Sequence, residues 1–212
     1  MALTFVECPG GSGKSSTVVV NLSAANAGDL LVAATGSANN DTPTISGSGW
    51  TLIRKVSNGT SCQISVWYKI AGASEPTSIT FTYGAGVNNA AAVFRATGSS
   101  ASPLVNESGG ATGNDATAEC GTAGGSTAAG KLAMAFWDAG STTVSGASNG
   151  YTVRGDIDSG NVTLVVAEDL ADATSEDTTI TLSLGTGRWA GLNIGLAAAG
   201  STIFRLRADG KY

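Results

Sequence analysis

The stretch CPGGSGKSST, residues 8–17, comes closest in this chain to a site that could do phosphate chemistry. A nucleotide-binding loop reads GxxxxGK[ST]. Its backbone amides cradle phosphates at the start of a helix, and its lysine reaches the terminal phosphates. Gly13, Lys14 and Ser15 supply the last three positions, but Cys8 stands where the leading glycine belongs. The residues that follow, STVVVNL, are β-branched and predict a strand. The helix N-terminus that this chemistry needs is therefore missing. We read the stretch as a flexible Gly/Ser lead-in that binds no nucleotide.

Other constellations have bland readings that outweigh the chemical ones. Arg154, Gly155 and Asp156 spell an integrin-type tripeptide, but three residues arise easily by chance at the end of a strand. In DIDSGN, residues 156–161, Asp156 and Asp158 offer oxygens to a hard cation. The spacing of a calcium loop and its bidentate glutamate are lacking, so a turn is expected. Asp138, Glu168, Asp169 and Glu176 are the acids available for glycoside hydrolysis, which needs two carboxylates facing one cleft. Glu75 and Glu176 occupy equivalent places beside turns, which predicts capping of backbone amides. Among the four tryptophans, Trp50 aligns with Tyr151 at the start of a strand and reads as packing. Trp67 and Trp189 are less constrained and are the candidates for contact with a glycan.

Composition narrows the classes further. The 212 residues include no histidine, so the commonest general base and metal ligand is absent and no Ser-His-Asp or Cys-His site can form. Cys8, Cys62 and Cys120 are odd in number and widely spaced, which reads as free thiols of a reducing cytosol. We expect no catalytic residue, no cofactor and no metal, hence no enzyme. The net charge is −5 and no basic stripe appears, which argues against direct contact with nucleic acid. No apolar run approaches the roughly 20 residues that span a bilayer, and MALTFVECPG does not read as a secretion signal, so no membrane partner is expected.

The elements that would position any site are strands. ISVWYKI, SITFTYG and TITLSLG alternate apolar and polar residues with period two, which predicts half-buried strands. About a dozen such segments occur, and no window carries a helical stripe. An internal repeat organises them. AGDLLVA at 27–33 matches AGKLAMA at 129–135, GWTLIR at 49–54 matches GYTVR at 150–154, and SEPTSITFTYGAG at 74–86 matches SEDTTITLSLGTG at 175–187. The offset stays near 101 residues and keeps the inward-facing pattern, as a duplication of a roughly five-stranded unit would.

The phrases AGDLLVA, TPTISGSGWTLI and VWYKIAGASEPTSITFT resemble a β-rich family of structural proteins of tailed bacteriophages and prophages. The resemblance covers residues 27–97, and the repeat extends it to the second half. It implies a jelly-roll-like sandwich that decorates heads, tails or fibres, and it brings no catalytic motif.

The expected architecture is all-β, a jelly-roll-like antiparallel sandwich of two sheets. A flexible arm spans 1–17, repeat one 18–98, a linker 99–114, repeat two 115–200, and a docking segment 201–212. The expected role is that of a virion structural protein, synthesised in the host cytoplasm, that docks on other capsid or tail subunits and forms a homo-oligomer. Ile203, Phe204, Arg205, Arg207 and Tyr212 are the expected docking residues, because they combine strand character with cations. A carbohydrate-binding adhesion module on the virion surface is the alternative.

Overall fold

The β-branched and small residues of this chain pair into four antiparallel sheets. The computed structural model describes residues 2–124, 128–139, 143–170, 176–183 and 186–200, and within them it holds eighteen strands and no helix. The side chains of Glu176 and Asp177 lie outside the described residues, as do residues 201–212 with the five expected docking residues.

The first half supplies β1 (Thr4–Glu7), β2 (Gly10–Lys14), β3 (Thr17–Asn21), β4 (Leu30–Ser37), β5 (Thr44–Ile45), β6 (Thr51–Asn58), β7 (Cys62–Ile70), β8 (Ser78–Thr82) and β9 (Asn88–Thr97). The second supplies β10 (Ser99–Glu107), β11 (Ala111–Asp115), β12 (Thr117–Ala123), β13 (Gly130–Asp138), β14 (Val144–Ala147), β15 (Thr152–Asp158), β16 (Thr163–Asp169), β17 (Glu176–Leu182) and β18 (Gly187–Ala198). Each half forms a large sheet, β1-β9-β4-β7-β6 or β10-β18-β13-β16-β15, with β2 or β11 also paired to the long last strand. Each also forms a small sheet, β3-β8-β5 or β12-β17-β14. With β1 and β2 counted as one interrupted strand, this is jelly-roll order, except that the fifth strand, β6, joins the large sheet beside β7.

The expectation of an all-β sandwich holds, and four details change. The repeat is nine strands long in each half, where the letters suggested about five. Residues 4–7 and 10–14, expected in a flexible arm, are strands hydrogen-bonded to β9. The expected linker 99–114 is β10 and most of β11, paired to β18. Glycine-rich segments such as GGSGK carry no side-chain pattern to read. Their strand conformation is imposed by the neighbouring ladder.

There are also four sheets rather than two. Each half closes its own core between small and large sheet. Val18, Val20, Leu31, Ala33, Ile79 and Phe81 fill the first, and Ala118, Cys120, Ala133, Ala135, Ile180 and Leu182 the second. The two large sheets then pack on each other through a third core. Leu30, Val32, Ala34 and Phe94 of one half meet Leu132, Met134, Phe136 and Ile194 of the other. Alternation along β4 thus sorts residues between two cores, and every residue of that strand is buried.

Contacts between the halves are reciprocal, as across a twofold axis. Gly10 lies so close to Ile157 that a Cβ there would overlap it, and Gly110 stands in the same relation to Val56. Ser12 Oγ donates to Asp158 O at 3.1 Å, and Asn58 Nδ2 donates to Gly113 O at 2.6 Å. One contact breaks the symmetry: Phe136 fills the space that a side chain on Gly36 would take.

Phe136 therefore locks both halves. Phe136→Ala is expected to cost about 3–5 kcal/mol in urea unfolding, since the cavity lies between two stiff sheets. The exposed substitution Val19→Thr is expected to stay within about 0.5 kcal/mol. Similar losses for the two would contradict a shared central core.

Candidate functional site

The glycines of CPGGSGK serve packing. β2 threads between β15 and β3, where a Cβ on Gly10 would overlap Ile157 and one on Gly11 would sit 2.8 Å from Val19 O. Asn89 Nδ2 donates to Ser15 O at 2.7 Å, and Val93 N donates to Pro9 O at 3.0 Å. A phosphate-binding loop needs a ring of free amides before a helix; here the segment is spent on a β ladder. Arg154, Gly155 and Asp156 lie inside β15 rather than at its end, and a Cβ on Gly155 would press on Cys8 Sγ at 3.0 Å. The turn expected of DIDSGN is confined to its second half: Asp156, Ile157 and Asp158 end β15, and Gly160 N donates to Asp158 Oδ1 at 2.6 Å beyond it. Among the described residues no group of three or more acids or cysteines is placed to hold a metal ion.

The glycan platform does not form from the residues expected. Trp67 is 7% exposed and packs in the first sandwich core, and Trp189 is 3% exposed in the second. Trp189 Nε1 donates to Asp115 Oδ1 at 3.0 Å. Neither ring has a face left for a sugar. Both sit on strands with cores on either side, a burial that the sequence does not announce.

Of the four acids considered for hydrolysis, the three whose side chains are described are each held by a cation. Asp138 pairs with Arg188 at 2.8 Å, Glu168 with Arg154 at 2.7 Å, and Asp169 with Lys131 at 3.5 Å. Arg95, 4% exposed, binds Asp29 through two nitrogens at 2.8 and 2.7 Å and Glu7 at 3.1 Å. Lys69 pairs with Glu75 at 2.8 Å, lies 5.5 Å from the Trp50 ring, and donates to Ser48 O. Glu75 also accepts from Gly72 N at 2.9 Å, the backbone cap expected of it. Burial pushes the Cys8 and Cys62 thiols up to about 12, which leaves them poor nucleophiles.

One concavity collects several of these groups. An open groove of about 520 Å³ lies where β1 of the first half meets β15 and β16 of the second. Leu3, Phe5 and Leu170 form its apolar wall, and Thr4, Thr152, Arg154, Glu168 and Asp169 its polar one. The Arg154 guanidinium lies 4.4 Å over the Phe5 ring, while its Nε donates to Glu168 Oε1 at 2.9 Å. Glu168 Oε2 accepts from Leu170 N at 2.8 Å. Sequence reading singled out Arg154 and Glu168 for other reasons and missed Phe5 and Thr152. The repeat held a usable signal: the place opposite Thr51 is Tyr68 in the first half, and the place opposite Thr152 is Glu168 in the second.

No family model, curated protein or solved structure matches the chain.

The ion pairs set a pH response. Burial opposes ionisation of Glu7, Glu75 and Glu107, but hydrogen bonds outweigh it and hold all three below the ordinary value. Ser23 and Arg95 supply them for Glu7, Gly72 and Lys69 for Glu75, and Arg54 and Gly109 for Glu107. The folded state then binds fewer protons than the unfolded chain near pH 4. The stabilisation is complete above the unfolded pKa and is lost as pH falls through the lowered folded values. Asp156 acts oppositely, since burial first and then Asp158 raise its pKa. With three groups against one, the urea midpoint is expected to fall between about pH 5 and pH 3, less steeply in Glu75→Gln. A midpoint that rises over that range would show the balance reversed.

Proposed function

We propose that this protein is a non-catalytic structural component of a bacteriophage particle, a capsid-decoration or tail-associated module that docks on neighbouring subunits. The phrases AGDLLVA, TPTISGSGWTLI and VWYKIAGASEPTSITFT support the phage assignment. The observation that carries the docking role is the placement of exposed apolar residues. Val6, Val19 and Leu52, 40–48% exposed, stand on β1, β3 and β6, which are all edge strands. Edge strands offer unpaired backbone groups to a neighbour, and an apolar side chain beside them adds affinity. Behind them, three stacked cores make a stiff body that transmits load without rearranging.

On this reading the protein is made in the host cytoplasm, joins the virion, and works through contacts with capsid or tail subunits and with further copies of itself. It acts on no substrate and needs no cofactor. Its acidic balance of −5 suits protein partners better than the genome. Among the described residues, no helix is long and apolar enough to cross a membrane.

Mass spectrometry of purified particles is the test. The protein is expected in multiple copies per particle, and the double variant Val19→Lys, Leu52→Lys is expected to lower that copy number several-fold while its melting temperature stays put. Particles that lack the wild-type protein would end this assignment.

A further inference from the structure

The groove between β1, β15 and β16 has a composition that the packing role leaves unexplained. In the other half Tyr68 and Ile70 pack against the central core, and Glu168 stands on the ladder where Tyr68 does. The carboxylate in this lining is therefore a local departure from the repeat. About 520 Å³ lies within the range of small-molecule sites.

We propose that this groove binds the uncharged, polyhydroxylated ring of a saccharide. The charges decide against an ion. Arg154 and Lys131 balance Glu168 and Asp169, so an anion meets two carboxylates and a cation meets a guanidinium. The polar groups are held in place before any ligand arrives. Arg154 is fixed between the Phe5 ring and Glu168, and its side chain is 35% exposed. Glu168 is fixed by Arg154 and Leu170 N. Planar donors and acceptors fixed in this way match ring hydroxyls at little entropic cost. The half-buried Phe5 edge and Leu170 beside them offer apolar surface to the C–H faces of the same ring. Thr4 and Thr152 complete the polar wall. Lys131, fully buried, holds Asp169 from behind. This site is distinct from Trp67 and Trp189, and it stands whether or not the chain belongs to a particle.

Amide correlation spectra of the full chain, titrated with the methyl glycosides of glucose, galactose and mannose to about 20 mM, test the proposal. At least one glycoside is expected to shift the amides of Thr152, Arg154, Glu168 and Leu170, with a millimolar Kd. Thr152→Trp and Thr4→Trp, both at exposed positions in the groove lining, are expected to weaken the response at least tenfold; either suffices if the other does not fold. Sodium acetate and methylammonium chloride are expected to leave these amides unmoved. Silence with all three glycosides, shifts that persist in a folded tryptophan variant, or a stronger response to either ion would overturn it.

Discussion

Everything in this fold depends on burying both faces of two antiparallel sheets. An antiparallel sheet usually keeps one face in water. Here β4, β9, β13 and β18 have a core on each side, and almost none of their residues reaches solvent. Four layers at roughly 10 Å spacing must then stack with no room for large side chains on every face. The abundance of small residues follows. β9 carries three consecutive alanines, Ala90 to Ala92, and Gly36 yields its volume to Phe136 across the central core. The same squeeze sets the ion pairs: a charge on such a strand has no water to turn to, so Arg95 and Lys131 carry their carboxylates with them.

This constraint also marks how far the sequence could be read. SITFT and TITL lie on the small-sheet strands β8 and β17, with one face toward a core and one outward, and their alternation reports the true inside and outside. ISVWYKI alternates as clearly but lies on β7, where Ile64 and Val66 face the central core while Trp67 faces the sandwich core. Period two reveals that a strand has two faces; it does not reveal whether the second face is wet. The tryptophans expected at the surface were misplaced for this reason. The extent of the duplication was hidden differently. β2 and β11 share little beyond small residues, and what they have in common is a close approach to β15 and β6, a property of the assembled fold.

The two halves have diverged most where polar groups are buried. Between small and large sheet, the first half places Arg95 opposite Leu31 and surrounds it with acids. The second places Asn193 opposite Ala133, where Tyr151 Oη donates to its Oδ1 at 3.1 Å and its Nδ2 donates to Thr178 Oγ1 at 3.2 Å. A charged hub and a neutral one do the same structural work, one same-face residue pair apart in register: the place of Arg95 opposite Leu31 is taken by Gly195 opposite Lys131. Each is satisfied by partners that changed along with it, as a buried network requires. Against that background of paired change, the exchange of Tyr68 for Glu168 stands apart, because it sets a carboxylate paired with Arg154 where the first half has an aromatic ring.

A single residue, Gly98, with φ of 77°, separates the end of β9 from the start of β10. The halves are thus joined without slack, and the direction of synthesis acquires a consequence. When the ribosome has released the first half, its nine strands are complete, but Leu30, Val32, Ile64 and Phe94 still await the sheet that will cover them. At roughly 5–20 residues per second, the missing sheet needs some 5–20 s to emerge. For that interval the nascent chain displays an adhesive face addressed to its own unfinished remainder. Crowded neighbours on a polysome compete for it, and the short tether gives the cognate half a far higher effective concentration than any of them.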